Sequence, residues 1–118
     1  MLRVAYLCTD LLFTSKIRET ALGLGMEVGA VRDAGALVEA ARGAAVIILD
    51  LRPPTALDSL GRLRADPATA TIPIIGFCDH EKVDLMADAR AAGCTHVLAK
   101  GRFSTDLKTL LPISAPAV

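Results

Sequence analysis

Carboxylates, thiols and an ammonium group stand where short apolar runs of this chain end. The stretch "AAVIILDLRPP" (44–54) leads five apolar residues, Ala45 to Leu49, straight into Asp50, and two prolines close it. Cys8, Thr9 and Asp10 end a first such run, Cys78, Asp79 and His80 a later one, and Lys100 follows the last. A carboxylate and an ammonium at neighbouring strand ends attract, so Asp50 and Lys100 are expected to form an ion pair. Thiolate, imidazole and carboxylate are also acceptable zinc ligands, which makes Cys8, Cys78, His80 and Asp50 conceivable as a soft-metal set. Their spacing follows no ligand pattern, however, and Cys8 and Cys78 read better as small residues facing the core. No Ser–His–Asp or Cys–His nucleophile arrangement is visible.

The elements that must position these groups alternate between β-rich runs and helical patterns. "RVAYLC" (3–8), "MEVGAV" (26–31), the run ending at Asp50, "IPIIGFC" (72–78) and "CTHVLA" (94–99) read as five strands. Thr9 or Asp10 can cap a first helix, in which Phe13, Ile17, Ala21 and Leu24 recur at helical spacing and which Gly25 can stop. Asp33 caps a second, with Leu37, Val38 and Ala41 on one face and Gly43 at its end. Leu57, Leu60 and Leu63 mark a third, which must finish before Pro67. Residues 81–92 form a fourth, closed by Gly93, and Ser104 or Thr105 caps a fifth that stops at Pro112. Five strand–helix units without a hairpin signal predict an α/β, flavodoxin-like fold: a five-stranded parallel sheet of order 2-1-3-4-5 with helices on both faces. The expected organisation is one domain over 1–112 and a short tail over 113–118.

Composition narrows the function. The 118 residues are 53% hydrophobic and 22% charged with zero formal net charge, as a single folded domain would be. Four aromatics and no long basic run argue against a nucleic-acid groove. No apolar stretch is long enough to cross a bilayer, and the N-terminus does not read as a signal peptide, so the expectation is a cytoplasmic protein without membrane contact. Three cysteines without a CxxC fit a reducing compartment. Cys8 and Cys78 would lie on strands separated by a third, roughly 10 Å apart and too far to bridge. Cys94 reads as a packing residue at a strand start. The glycines of "GLGMEVG" (23–29) fall between a helix end and a strand, the reverse of a dinucleotide motif. The loop after strand one, "TDLLFTSK", has no glycine to cradle a flavin phosphate.

In open α/β sheets, ligands bind outside the carboxyl ends of the strands, where Asp50, Cys8, Thr9, Asp10, Cys78 and Lys100 would converge. On those residues and on the order of "VIILDLRPP", "IPIIGFC" and "AAGCTHVLAKG", the chain resembles the receiver domains of bacterial two-component response regulators over roughly residues 3 to 111. The resemblance implies that Asp50 stands at the phosphoacceptor position, with Pro53 or Pro54 in the loop beyond it, and that Lys100 stands where the family's lysine contacts the acyl phosphate. Other positions depart from the pattern. The acidic pair that would hold Mg²⁺ reads Cys8 and Thr9, with Asp10 one residue beyond. The hydroxyl residue that closes on the phosphoryl group is Cys78. The switch aromatic is Val97, and the proline after the lysine is Gly101. Mg²⁺ wants oxygen ligands, and phosphoryl transfer to a carboxylate depends on cations that spread the negative charge.

The expectation is therefore a degenerate, pseudo-receiver domain with weak or absent Mg²⁺ binding, no cofactor and no enzymatic activity. It would act through protein–protein contacts largely independent of phosphorylation, and its partner would be a histidine kinase or an output protein. The chain ends after its fifth helix, which would leave output to that partner. "KGRF" (100–103) with Lys108, and Asp84, Asp88, Arg90 and Arg102, lie where receivers commonly meet partners, although an ordinary solvated surface is the simpler reading. Two alternatives stay open: a working single-domain response regulator phosphorylated on Asp50, and a small-ligand or metal-binding domain on a flavodoxin-like scaffold.

Overall fold

A computed structural model describes residues 2 to 114. The elements run in the order β1 (Arg3–Leu7), α1 (Leu11–Gly23), β2 (Glu27–Val31), α2 (Ala34–Ala41), β3 (Val46–Asp50), α3 (Ala56–Ala65), β4 (Ile74–Cys78), α4 (Val83–Ala91), β5 (His96–Ala99) and α5 (Lys100–Ser114). All pairings are parallel, and the sheet order is β2-β1-β3-β4-β5, as the alternation of patterns implies. Every residue of β3 and β4 is buried, which is what apolar runs at the centre of a parallel sheet require.

Side-chain alternation splits the core into two layers. Val4, Tyr6, Val46, Ile48, Ile75 and Phe77 face α1 and α5, meeting Phe13, Ile17 and Ala21 from one and Phe103, Leu107 and Leu111 from the other. On the opposite face, Ala5, Ile47, Leu49 and Ile74 meet Leu37 and Ala41 of α2, Leu60 and Leu63 of α3, and Ala89 of α4. Gly76 falls on this second face of β4, where a Cβ would come 2.8 Å from Leu51 Cδ1 and 2.9 Å from Cys94 Sγ. Close packing across the middle of the sheet requires glycine there.

The expected helix starts hold at α1 and α2. Asp10 accepts from the Leu12 and Phe13 amides, and Asp33 from the Ala36 amide. Gly25, Gly43 and Gly93 follow α1, α2 and α4 with positive φ, the backbone region that suits a glycine stop.

α5 departs from expectation at both ends. It begins at Lys100, directly off β5, rather than at a Ser104 or Thr105 cap, and continues past Pro112 to Ser114. Its apolar residues explain this: Phe103, Leu107 and Leu111 recur every fourth position and are all fully buried, so docking of the whole face outweighs one missing N–H at Pro112. Of the tail expected over 113–118, residues 115–118 lie outside the described residues.

At the amino-terminal edge of the sheet, Arg64 ties the α3–β4 connection to the α4–β5 turn. Its Nε and Nη2 donate to the Gly93 carbonyl at 3.0 and 2.8 Å, and Nη1 reaches the carbonyls of Thr69, Ala70 and Ile72 at 3.2, 3.0 and 2.8 Å. Burial lowers the guanidinium's pKa, and the hydrogen bonds it makes all go to neutral acceptors. We expect Arg64→Met to destabilise the fold by about 2 kcal/mol in urea unfolding, because several half-buried carbonyls lose their donor. Arg64→Lys should recover less than half of that loss, as an ammonium cannot span both loops.

Candidate functional site

Asp50 ends β3 with its side chain on the α1/α5 face, in step with Val46 and Ile48, and is only 3% exposed. A carboxylate so buried needs donors. Nearly all of them come from one residue, Arg52. Its backbone amide donates to Oδ1 at 3.0 Å, its Nε to Oδ1 at 2.9 Å, and its Nη2 to Oδ2 at 2.9 Å. The side-chain contact is a two-pronged guanidinium–carboxylate pair, the strongest geometry available to these groups. It raises the Arg52 pKa, chiefly through the hydrogen bond to Asp50. The remaining Oδ2 neighbour is the Cys8 thiol, whose Sγ lies 3.9 Å away.

Arg52 is held from two further directions. Nη2 also lies 3.4 Å from Oδ2 of Asp10. The guanidinium carbon sits 5.3 Å from the ring centroid of Phe13 and 5.5 Å from that of Phe77, placing the cation over two aromatic faces. Phe77 stacks on Phe103 with centroids 4.3 Å apart, and Phe13 lies 6.1 Å from Phe103. All three phenylalanines of the chain thus gather beneath one arginine, joining α1, β4 and α5 at the site.

Asp10 serves two neighbours at once. Oδ1 caps α1 while Oδ2 faces Arg52. Its pKa is lowered, first by the Phe13 amide and then by the Leu12 amide and Arg52. Burial raises the pKa of both the Cys8 and the Cys78 thiol, which leaves neither activated as a nucleophile. Cys78 is fully buried, as expected of a core-facing residue, whereas Cys8 is only half-buried. Thr9 lines the open cavity of about 420 Å³ above Asp10, Asp50, Arg52 and Pro53. Among the described residues, no group of three His, Cys, Asp or Glu side chains is placed to hold a metal ion, and His80 points into solvent beside Glu81.

The expected Asp50–Lys100 pair does not form. Lys100 Nζ lies 3.0 Å from Asp79 Oδ1 and lowers that carboxyl's pKa. Register explains the choice. Cys78 pairs with Ala99 on adjacent strands, so the residues that follow them, Asp79 and Lys100, emerge side by side. Asp50 pairs with Phe77 instead, and all of β4 stands between it and β5. Val97 is buried opposite Gly76, and Gly101 lies in the first turn of α5.

The sequence reading passed over Arg52. The signal was present: Arg52 precedes Pro53, which biases it toward extended backbone, and in extended backbone residues two apart share a face. An arginine two residues beyond a strand-end aspartate and just before a proline is therefore placed to turn back onto it.

Two predictions follow from this geometry. Asp10 and Asp79 titrate below their ordinary value of 3.8, so folding favours their ionised forms. Their stabilisation is complete above the ordinary value and is lost as pH falls through the lower folded values, so the melting temperature should drop below about pH 4. Arg52→Ala should cost about 2 kcal/mol at neutral pH, because it strands the buried Asp50 carboxylate beside a half-exposed cavity. Asp50→Asn in the Arg52→Ala background should recover part of the loss, and denaturant unfolding of the four proteins measures the coupling.

At the level of sequence, no protein family and no curated protein matches the chain. Solved structures do match its fold. It is similar to the chemotaxis response regulator CheY4 of Vibrio cholerae, at 22% identity and a TM-score of 0.80, over 96% of this chain and 98% of that one. It is similar to the receiver domain of the sensor histidine kinase PA1611 of Pseudomonas aeruginosa, whose structure has a magnesium ion coordinated in the active-site cleft (20% identity, TM-score 0.80, 96% of each chain). It is also similar to the phosphorylated cyanobacterial phytochrome response regulator RcpA (16% identity, TM-score 0.81, 96% of this chain and 93% of that one). The expected flavodoxin-like architecture is thus the fold of response-regulator receiver domains.

Proposed function

We propose that the chain is a receiver-like signalling domain of two-component type that works by protein contact, without phosphorylation at Asp50 and without Mg²⁺. One observation carries this reading. The carboxylate at the phosphoacceptor position is already bound by an internal cation on both oxygens, and Oδ1 takes a backbone amide as well. An attacking carboxylate oxygen must have a free lone pair aimed at phosphorus, and the cation that assists must reach the phosphoryl oxygens. Here both oxygens of Asp50 already accept from Arg52, and Lys100 is engaged with Asp79.

While Arg52 engages both carboxylates, the oxygen donors do not suit a hard divalent ion. Mg²⁺ demands near-octahedral oxygen ligation, whereas Cys8 offers sulfur, and Asp10 divides its two oxygens between the helix cap and Arg52. A surface role has support of its own. Leu11 and Leu12 are 83% and 76% exposed on the first turn of α1, and Val83 is 67% exposed on that of α4, so apolar side chains border the carboxyl edge of the sheet. Exposed apolar groups around a closed polar site suit a protein partner, a kinase or an output protein, better than a small polar substrate. No helix among the described residues is long and apolar enough to cross a membrane, and the proposed setting is the cytoplasm.

Intact mass after incubation with a small phosphodonor and Mg²⁺ tests the proposal, with Asp50→Asn as control. The wild-type mass should stay unchanged under conditions that label an ordinary receiver. A gain of one phosphoryl group that the control lacks would make Asp50 a working acceptor and end this reading.

A further inference from the structure

We propose that Arg52 is a resident cation: its guanidinium occupies, permanently and from within the chain, the position between Asp10 and Asp50 that a divalent ion would otherwise take. The inference deepens the receiver-like reading and rests on it for the identity of the competing ion.

Three features of the geometry point to it. First, the charges match. Asp10 and Asp50 present one oxygen each to the same Nη2, at 3.4 and 2.9 Å, so a single positive group already bridges the two carboxylates. A second cation entering the cavity would meet that charge at close range. Second, the surroundings suit a guanidinium. Phe13 and Phe77 turn ring faces to the Arg52 head group, and a planar, weakly hydrated cation stacks there at little desolvation cost. Third, the arginine cannot readily swing away. Its own amide is bonded to Oδ1 of Asp50 and Pro53 follows it, so both the backbone and the side chain of residue 52 are tied to the same carboxylate.

Removing the cation should therefore uncover a metal site that the wild type conceals. Isotope-labelled wild type and Arg52→Gln would be titrated with Mg²⁺ while the amide resonances of residues 8–10 and 50–53 are followed. The variant should bind with a dissociation constant on the order of 1 mM, in the range of weak carboxylate sites. The wild type should bind at least about tenfold more weakly. Arg52→Lys, which keeps a positive charge at the position, should behave like the wild type, and Asp50→Asn in the Arg52→Gln background should lose the gained binding.

Wild-type binding as tight as that of Arg52→Gln would overturn the proposal, as would a folded Arg52→Gln that gains none. If Arg52→Gln is unfolded in metal-free buffer, about 10 mM Mg²⁺ should restore its native spectrum by supplying the missing charge. Failure to do so also overturns the proposal. The two readings fail separately: a metal-blind Arg52→Gln with an unphosphorylated wild type sinks only this inference, and a wild type phosphorylated without any Mg²⁺-dependent shift sinks only the earlier one.

Discussion

A fully buried central strand that ends in a carboxylate sets the terms for the rest of this molecule. β3 lies between β1 and β4 with helices on both faces, so Asp50 has water on one side only. Either the charge finds a partner or the strand end cannot stay where the sheet puts it. Arg52 is that partner, and the pair draws other groups into fixed positions. Asp10 must keep its second oxygen turned inward while capping α1. Phe13 and Phe77 must sit beneath the guanidinium, and Phe103 brings the first turn of α5 against them. The start of one helix, the end of another strand and the face of a third element are arranged around one ion pair.

Much of this was legible in sequence because it depends on patterns of burial. The strand order follows from apolar runs separated by helical spacing, and the caps at Asp10 and Asp33 follow from residue type and position. The stops at Gly25, Gly43 and Gly93 follow from the need for positive φ. What was not legible depends on which of several nearby charges pair. Asp50, Asp79, Lys100 and Arg52 all emerge at one edge of the sheet, and composition does not rank the combinations. Register does, by seating Asp79 beside Lys100 and leaving Asp50 to the arginine two residues along. The reach of α5 was misjudged for a related reason. A proline reads as a stop in one dimension, but three buried residues at four-residue spacing hold the helix in three.

The two edges of the sheet use arginine in opposite ways. At the carboxyl edge, Arg52 meets carboxylates and its charge is the point of the contact. At the amino edge, Arg64 meets carbonyls and one threonine hydroxyl, and its fork shape matters more than its charge, since it gathers two loops. Both uses depend on a planar group with several donors, which lysine does not offer.

The helices are not fastened equally. α1 and α5 each bury three side chains and α3 buries four, while Ala89 is the one fully buried residue of α4 and Val83 lies in water. Local stability follows buried apolar contact, so thermal opening should be most frequent at α4. The soft part of the molecule is therefore α4, and it carries no part of the Asp50–Arg52 pair. A partner that reshaped α4 would spend little against the fold and would leave the ion pair intact. Compliance and charge are housed in separate parts of one small sheet.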